Sequence, residues 1–311
     1  MSDVISSIVQ AIVGGAKAIF GMWAEVVREV ERTVDAGGLR AVQVQASSGS
    51  IHYQGVDPSV VTVRAWVTVR GPSQGDAEEF AQRIEVRTDR EEGAAGHTLR
   101  VHAEVPRPHV GYSVSVRYEV SGPRALAADL RTSSGGIHVS GTEGAVKAYT
   151  SSGRIELEGG KGDIDLHTDS GGIRVDRAEG QVRAEATSGS IELREGVGAV
   201  DLRTRSGGIR ATLNRLEGEG TFSAQSGSIH VEVGAGIAPI TATTSSGAVH
   251  VTLPAGYAGQ LEARTSSGSV RCDLPVFTAS ESGQNHVRGR IGEGGEATVK
   301  LHTSSGGVHI Q

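Results

Sequence analysis

The chain has a single cysteine, Cys272, in 311 residues, so no disulfide within the chain can hold it together. That scarcity fits a reducing compartment, and the expected location is cytoplasmic, with peripheral contact at the inner membrane left open. Aromatic residues are also scarce, at 4%. There is no basic stripe: 30 Lys and Arg stand against 36 Asp and Glu, mixed along the chain, for a net charge of −6. A nucleic-acid partner is therefore not expected. No long apolar run occurs. Val4 to Val30 is broken by Ser6, Ser7, Gln10, Lys17 and Glu25, whereas spanning a bilayer takes about 20 predominantly apolar residues. Met1-Ser2-Asp3 carries no basic region, and no small-residue cleavage site follows, so no secretory signal is expected. Glycine is plentiful, at 45 residues, but has no three-residue period, which excludes collagen. Hydrophobic residues make up 37% of the chain, enough to fill a core rather than leave it disordered.

What the chain does have is a repeat. Ser-Gly turns followed by a short β-branched segment recur at Gly135, Gly153, Gly171, Gly189 and Gly207, each 18 residues after the last. Gly227, Gly247 and Gly268 follow at steps of 20, 20 and 21, with outlying copies at Gly49 and Gly306. Ser152-Gly153-Arg154-Ile155-Glu156-Leu157 is a typical unit. A fixed period of this length marks stacked repeats, each burying its apolar face only against its neighbours. The fold class is therefore all-β: a β-solenoid of about 18–21-residue coils with two strands each, favoured over three sides by the two apolar stretches and two glycine turns per unit.

Three regions follow. Residues 1–38 read as an amphipathic helix over roughly 3–36, with Ile5, Val9, Ile12, Ala16, Ile19, Trp23, Val26 and Val30 at alternating spacings of four and three. Ala11, Gly14, Ala18 and Gly21 form a second, small-residue stripe that allows close approach of another helix. Residues 39–123 hold a first coil around Gly49 and then longer alternating segments, 61–69, 99–105 and 114–120, which read as a small antiparallel sheet inserted beside the solenoid. A short helix is expected over Asp76 to Arg83. Residues 124–311 are the regular repeat, interrupted by a loop at about 274–294 that we expect to cover the end of the stack.

Within the repeat, Val146, Ile164, Val182 and Val200 should form one inward ladder, and Ile155, Ile173, Ile191 and Ile209 another. The outward positions read Lys147, Asp165, Arg183, Asp201 and Glu156, Arg174, Glu192, Arg210, with signs alternating down the stack. Such pairs favour the correct register and keep the face solvated.

The runs "YEVSGPRALAADLRTSSGGIHV", "AVKAYTSSGRIEL", "VTLPAGYAGQLEARTSSGSVRCDLP" and "ATVKLHTSSGGVHI" resemble the bacterial putative-adhesin family of unknown function, the toastrack family. The resemblance covers about residues 39–311. It implies a β-solenoid and, from some members, a link to envelope or membrane stress. It supplies no catalytic residues.

No chemistry emerges from the residues themselves. No nucleophile elbow is present, and His167, Asp169 and Ser170 do not add up to a triad by adjacency in sequence. His230 and His250 lie one coil apart, as do other histidines in the same slot, but two imidazoles make a weak metal site. Gly196-x-Gly198 lacks the following helix that phosphate binding needs. Cys272 reads as buried and inert. We therefore expect a non-enzymatic protein with no cofactor and no metal. The sequence favours a scaffold whose helix joins sister protomers or meets a membrane through Ile5, Ile12, Ile19, Trp23 and Val26. A homo-oligomer, peripheral membrane contact and a membrane-stress protein are the partners that reading implies. The alternative is an adhesin-like module that binds a ligand or protein on an outer solenoid face.

Overall fold

The computed structural model describes residues 4–10, 23–57, 59–93, 96–107, 111–276, 281–293 and 295–311. The chain divides into two compact units, Met1–Gly153 and Arg154–Gln311.

The first unit contains strands β1 (Val4–Gln10), β2 (Ala24–Asp35), β3 (Leu39–Ser48), β4 (Ile51–Val56) and β5 (Val60–Gly71), then helix α1 (Gln74–Gln82). Strands β6 (Glu85–Gly93), β7 (Gly96–Glu104), β8 (Ser113–Pro123), β9 (Ala127–Ser134), β10 (Ile137–Thr142) and β11 (Val146–Ser152) follow. The first coil, β3 and β4, lies between two others. On one side β3 pairs in parallel with β9 and β4 with β10; on the other they pair with β7 and β8. The outer strands are antiparallel: β6 on β7, and β5 between β8 and β2, with β1 beyond β2. Val63, Val67, Val101, Tyr118 and Val120 fill the space between these strands, each at most 2% exposed. Helix α1 starts at Ser73, whose hydroxyl accepts the Asp76 amide at 3.2 Å, and buries Ala77, Phe80 and Ala81.

The second unit begins with β12 (Ile155–Lys161), β13 (Ile164–Ser170), β14 (Ile173–Glu179), β15 (Val182–Ser188), β16 (Ile191–Ser206) and β17 (Ile209–Ser226). It continues with β18 (Ile229–Val233), β19 (Ile240–Ser246), β20 (Val249–Thr252), β21 (Gly259–Ser267) and β22 (Val270–Cys272), then β23 (Glu281–Gly283), β24 (His286–Ile291), β25 (Ala297–Ser305) and β26 (Val308–Ile310). The register is the one the period implies. Ile164, Val182 and Val200 stack, as do Ile155, Ile173, Ile191 and Ile209, all at most 3% exposed. The last coils break sequence order. β25 sits between β19 and β21, and β26 between β20 and β22. The chain thus lays down an outer coil first and returns to fill the gap. The expected loop at 274–294 includes β23 and β24, and β24 pairs antiparallel on β21.

The expected helix over 3–36 is overturned. The described residues there form β1 and β2, a pair of antiparallel strands. The reason lies in β2. Its inner face reads Val26, Arg28, Val30, Arg32, Val34, a period of two in which every second position is arginine. The valines are therefore spaced by four and imitate a helix. Arg28 is inward because it serves α1: its guanidinium donates to the carbonyls of Gln82 (3.2 Å) and Ile84 at the end of that helix. Burial and the neighbouring Arg32 push the Arg28 pKa down.

The turn glycines are required by packing. A Cβ at Gly207 would stand 2.2 Å from the Gly189 carbonyl oxygen of the neighbouring coil, and one at Gly227 would stand 2.0 Å from that of Gly207. A second device, absent from the sequence reading, locks these corners. Buried threonine hydroxyls donate to turn-glycine carbonyls one coil away: Thr204 to Gly189 (2.8 Å), Thr244 to Gly227 (2.9 Å), Thr303 to Gly247 (2.9 Å) and Thr265 to Gly306 (2.8 Å). Thr132 and Thr150 do the same in the first unit. Replacing Thr244 with Val keeps the shape and removes the donor. The expected loss is about 1–3 kcal/mol in urea unfolding, the cost of stranding a buried polar group. An unchanged midpoint would show that the hydroxyl contributes nothing.

Two other corners carry strain. Arg177 (φ 57°) and Glu195 (φ 53°) adopt the left-handed conformation at the coil position that Gly159 (φ 67°) holds elsewhere. Glu195→Gly should therefore stabilise the protein by about 1 kcal/mol, visible as a raised melting temperature.

Candidate functional site

The outer face of the β2–β5–β8–β4–β10 sheet carries two aligned polar rows. Each row takes one residue per strand, because register brings them level. Glu31, Arg64, Glu119, His52 and His138 form the first. Thr33, Thr62, Ser121, Gln54 and Ser140 form the second, one step of two residues away. All of them except Thr33 line a groove of about 620 Å³. The carboxylates of the charged row are paired: Arg64 reaches Glu31 at 3.4 Å, and Arg117, beyond the row, reaches Glu119 at 3.8 Å, while the His52 and His138 rings lie 5.7 Å apart. The second row is neutral and made of hydroxyl and amide groups, which both donate and accept hydrogen bonds. Beyond the charged row stand Glu29, Trp66 and Arg117, with the Arg117 guanidinium 4.2 Å above the Trp66 ring. The arrangement can hold a polar ligand by many weak, directional contacts.

The second unit carries a different row. Arg210, His230, His250, His309 and Arg271 occupy successive strands of its stack. The His230 and His250 rings stack at 4.7 Å, and His309 meets His250 edge-on at 4.6 Å. The Nδ1 atoms of His250 and His309 are 3.1 Å apart. Asp273 holds His309 Nε2 at 2.8 Å and Arg271 at 2.9 Å. Among the described residues no group of three or more His, Cys, Asp or Glu is arranged to hold a metal ion.

Desolvation, with His230 and His309 alongside, pushes the His250 pKa below its ordinary 6.5. The groups around it are Arg210, His230, Glu232, His309, Arg271 and Asp273. The unfolded chain then takes up a proton that the folded one resists, so stability falls as pH drops below about 6.5. Asp273 acts lower down: His309 and Arg271 depress its pKa below 3.8, so its contribution is lost only in stronger acid. We expect the melting temperature to fall between pH 7.5 and 5.5, and His250→Gln to flatten that slope. Equal slopes in the two proteins would exclude the histidine row as the cause.

The charge ladders pair along strands as well as across them. Arg183 reaches Asp201 on the next strand at 3.6 Å. Arg174, however, bonds Asp176 two residues on at 2.7 Å, and Arg271 bonds Asp273 in the same way at 2.9 Å. Residues two apart share a face, and arginine is long enough to bend back. His167 and Asp169 meet likewise at 3.2 Å, a surface pair on one strand face.

The five residues expected to make oligomer or membrane contacts are described only in part. Ile12 and Ile19 lie outside the described residues, as do Ala11, Gly14, Ala18 and Gly21. Ile5 belongs to β1, Trp23 is 53% exposed, and Val26 is buried on β2 at 6%. No helix among the described residues is long and apolar enough to cross a membrane. Gly135 and Gly153 in the first unit, and Gly171, Gly189, Gly207, Gly227, Gly247, Gly268 and Gly306 in the second, all stand at their turns with φ between 142° and 156°. Cys272 is half-buried, its thiol pushed up by burial. The groove escaped the sequence reading because β2 was read as helix and because the rows exist only across strands. The alternation of 61–69 and 114–120 was the one available signal.

A family profile described as Toastrack DUF4097 matches residues 33–200, 163–238 and 197–311. The chain belongs to the toastrack family. This toastrack protein is similar to several solved structures. One is a putative adhesin from Parabacteroides merdae ATCC 43184, 11% identical, with 94% of this chain and 97% of that one covered and a TM-score of 0.46. Another is a putative lipid binding protein from Parabacteroides distasonis ATCC 8503, 11% identical, with 90% and 96% covered and a TM-score of 0.42. A third is a putative adhesin from Bacteroides fragilis NCTC 9343, 10% identical, with 91% and 97% covered and a TM-score of 0.31. None of these likenesses bears on function. No curated protein matches the chain.

Proposed function

We propose that this toastrack protein is a non-catalytic binding module, and that the groove on the outer face of its first unit takes a multiply hydroxylated, glycan-like ligand. Family membership supports a binding or scaffold role without catalysis. The observation that carries the ligand class is the neutral row Thr33–Thr62–Ser121–Gln54–Ser140, set level across five strands beside a charged row. A hydroxylated ligand both donates and accepts, as this row does, and the flanking ionic pairs compensate one another rather than demand a charged partner. Of the two readings the sequence left open, the outer-face one is supported by the strands that residues 4–10 and 24–35 form, which make β2 part of the sheet that carries the groove.

A glycan array probed with the full chain tests this. Retention of a defined glycan subset is expected, and the double variant Gln54→Ala/Ser121→Ala should lose it while melting as the wild type does. An empty array, or equal retention by the double variant, would sink the reading.

A further inference from the structure

The histidine row of the second unit brings two nitrogen donors to one point. His250 and His309 stand level on the paired strands β20 and β26. Val249, Val251, Val308 and Ile310 alternate with them and are buried, so both histidines lie on the outer face, where they are half-buried. Their Nδ1 atoms are 3.1 Å apart. An ion bonded to both at about 2.0–2.1 Å, the ordinary zinc–imidazole length, would hold them at roughly 100°. Adjacent ligands of tetragonal and tetrahedral transition-metal ions stand at such angles.

Two histidines on neighbouring strands do not by themselves make a site, but further contacts set this pair apart. The Asp273 carboxylate accepts from His309 Nε2 at 2.8 Å. The hydrogen of the neutral ring is therefore on Nε2, and Nδ1 keeps its lone pair. A carboxylate on the far nitrogen is the outer contact by which metal-binding histidines are oriented. Asp273 is held in turn by Arg271 at 2.9 Å, which also compensates that cation. The row's other cation, Arg210, stands two strands from His250. His230 stacks on His250 with planes 4° apart, which fixes the plane of the second ring. Without metal, His250 Nδ1 donates to His309 Nδ1. Binding an ion needs that hydrogen on Nε2 of His250 instead, a change of tautomer with no net loss of a proton.

We propose that His250 and His309 chelate one divalent transition-metal ion through their Nδ1 atoms, with Asp273 as the orienting carboxylate. Water completes the coordination, since among the described residues no third His, Cys, Asp or Glu joins the pair. Copper(II) is the ion this donor set favours. Two neutral imidazoles with water suit its tetragonal geometry, and it stands highest in the affinity order of the divalent series. The site is independent of the outer groove, and failure of either leaves the other standing.

Cu²⁺ alone is the probe, added to the full chain after treatment with a chelator. At one equivalent, electron paramagnetic resonance should show a tetragonal ion with two imidazole nitrogens. Paramagnetic broadening of amide signals should centre on residues 249–251 and 308–310. His250→Gln and His309→Gln should each abolish the two-nitrogen signal, while His167→Gln, on another strand, should leave it unchanged. Asp273→Asn should keep the signal and weaken copper by about tenfold or more in calorimetric titration, the usual effect of losing an orienting partner. The wild-type spectrum and the broadening need no variant, so a substitution that harms folding does not spoil the test. One nitrogen or none at the first equivalent, or broadening centred elsewhere, would mean adventitious surface binding and overturn the proposal. So would a two-nitrogen signal that survives His309→Gln, or unchanged affinity in Asp273→Asn.

Discussion

Removing residues 297–311 should unfold the last coils of the second unit, although a chain end ordinarily frays at little cost. These residues are not the last rung of their stack. β25 pairs with β19 on one side and β21 on the other, and β26 pairs with β20 and β22. Val299, Leu301, Val308 and Ile310 are each at most 1% exposed. Their loss uncovers two neighbouring coils at once. It also takes away the Gly306 carbonyl that accepts from Thr265 and the Gly306 amide that donates to Ser267. In a stack stabilised by nearest neighbours, β21 and β22 then have no parallel partner. Hydrogen exchange read by mass spectrometry should show residues 240–291 unprotected while 155–226 keep most of their protection. Wild-type protection over 259–272 in the shortened chain would refute the interposed coil.

Ile173→Asp is the second large effect. Ile173 is 2% exposed and stacks between Ile155 and Ile191. Its amide donates to the Ser190 carbonyl, and Ile155 donates to the Gly172 carbonyl, so its backbone is fixed on both sides. The aspartate cannot swing out without breaking those rungs. It carries a charge, or a forced proton, into an apolar ladder with no partner. A loss of about 3–5 kcal/mol is expected, enough to prevent folding of the unit. Ile173→Val, which removes one methylene, should cost only about 0.5–1.5 kcal/mol. Urea unfolding of the two variants checks the contrast. Similar midpoints would place Ile173 outside the core.

The period carried most of the fold because every coil repeats one local solution. A turn glycine faces the backbone of the next coil, and β-branched residues two apart point inward, so the inward ladders and turns were legible residue by residue. What failed was local and had a local cause. In β2, Arg28 and Arg32 occupy inward positions, Arg28 to serve the end of α1, and this turned a period of two into an apparent period of four. The return of the chain to fill the gap between β19 and β21 left no mark either, because coil 297–310 has the same motif as its neighbours. The buried threonines were visible as letters, yet their role depends on a carbonyl one coil away. The groove was least legible of all. Its rows join residues from Thr33 to Ser140, and only register brings them level.

The binding reading meets its most direct test in amide chemical-shift mapping of the full chain with a glycan selected on the array. Shifts confined to residues 31–33, 52–54, 62–64, 119–121 and 138–140 are the expected result. Shifts centred elsewhere on the protein, or none at saturating glycan, would contradict it.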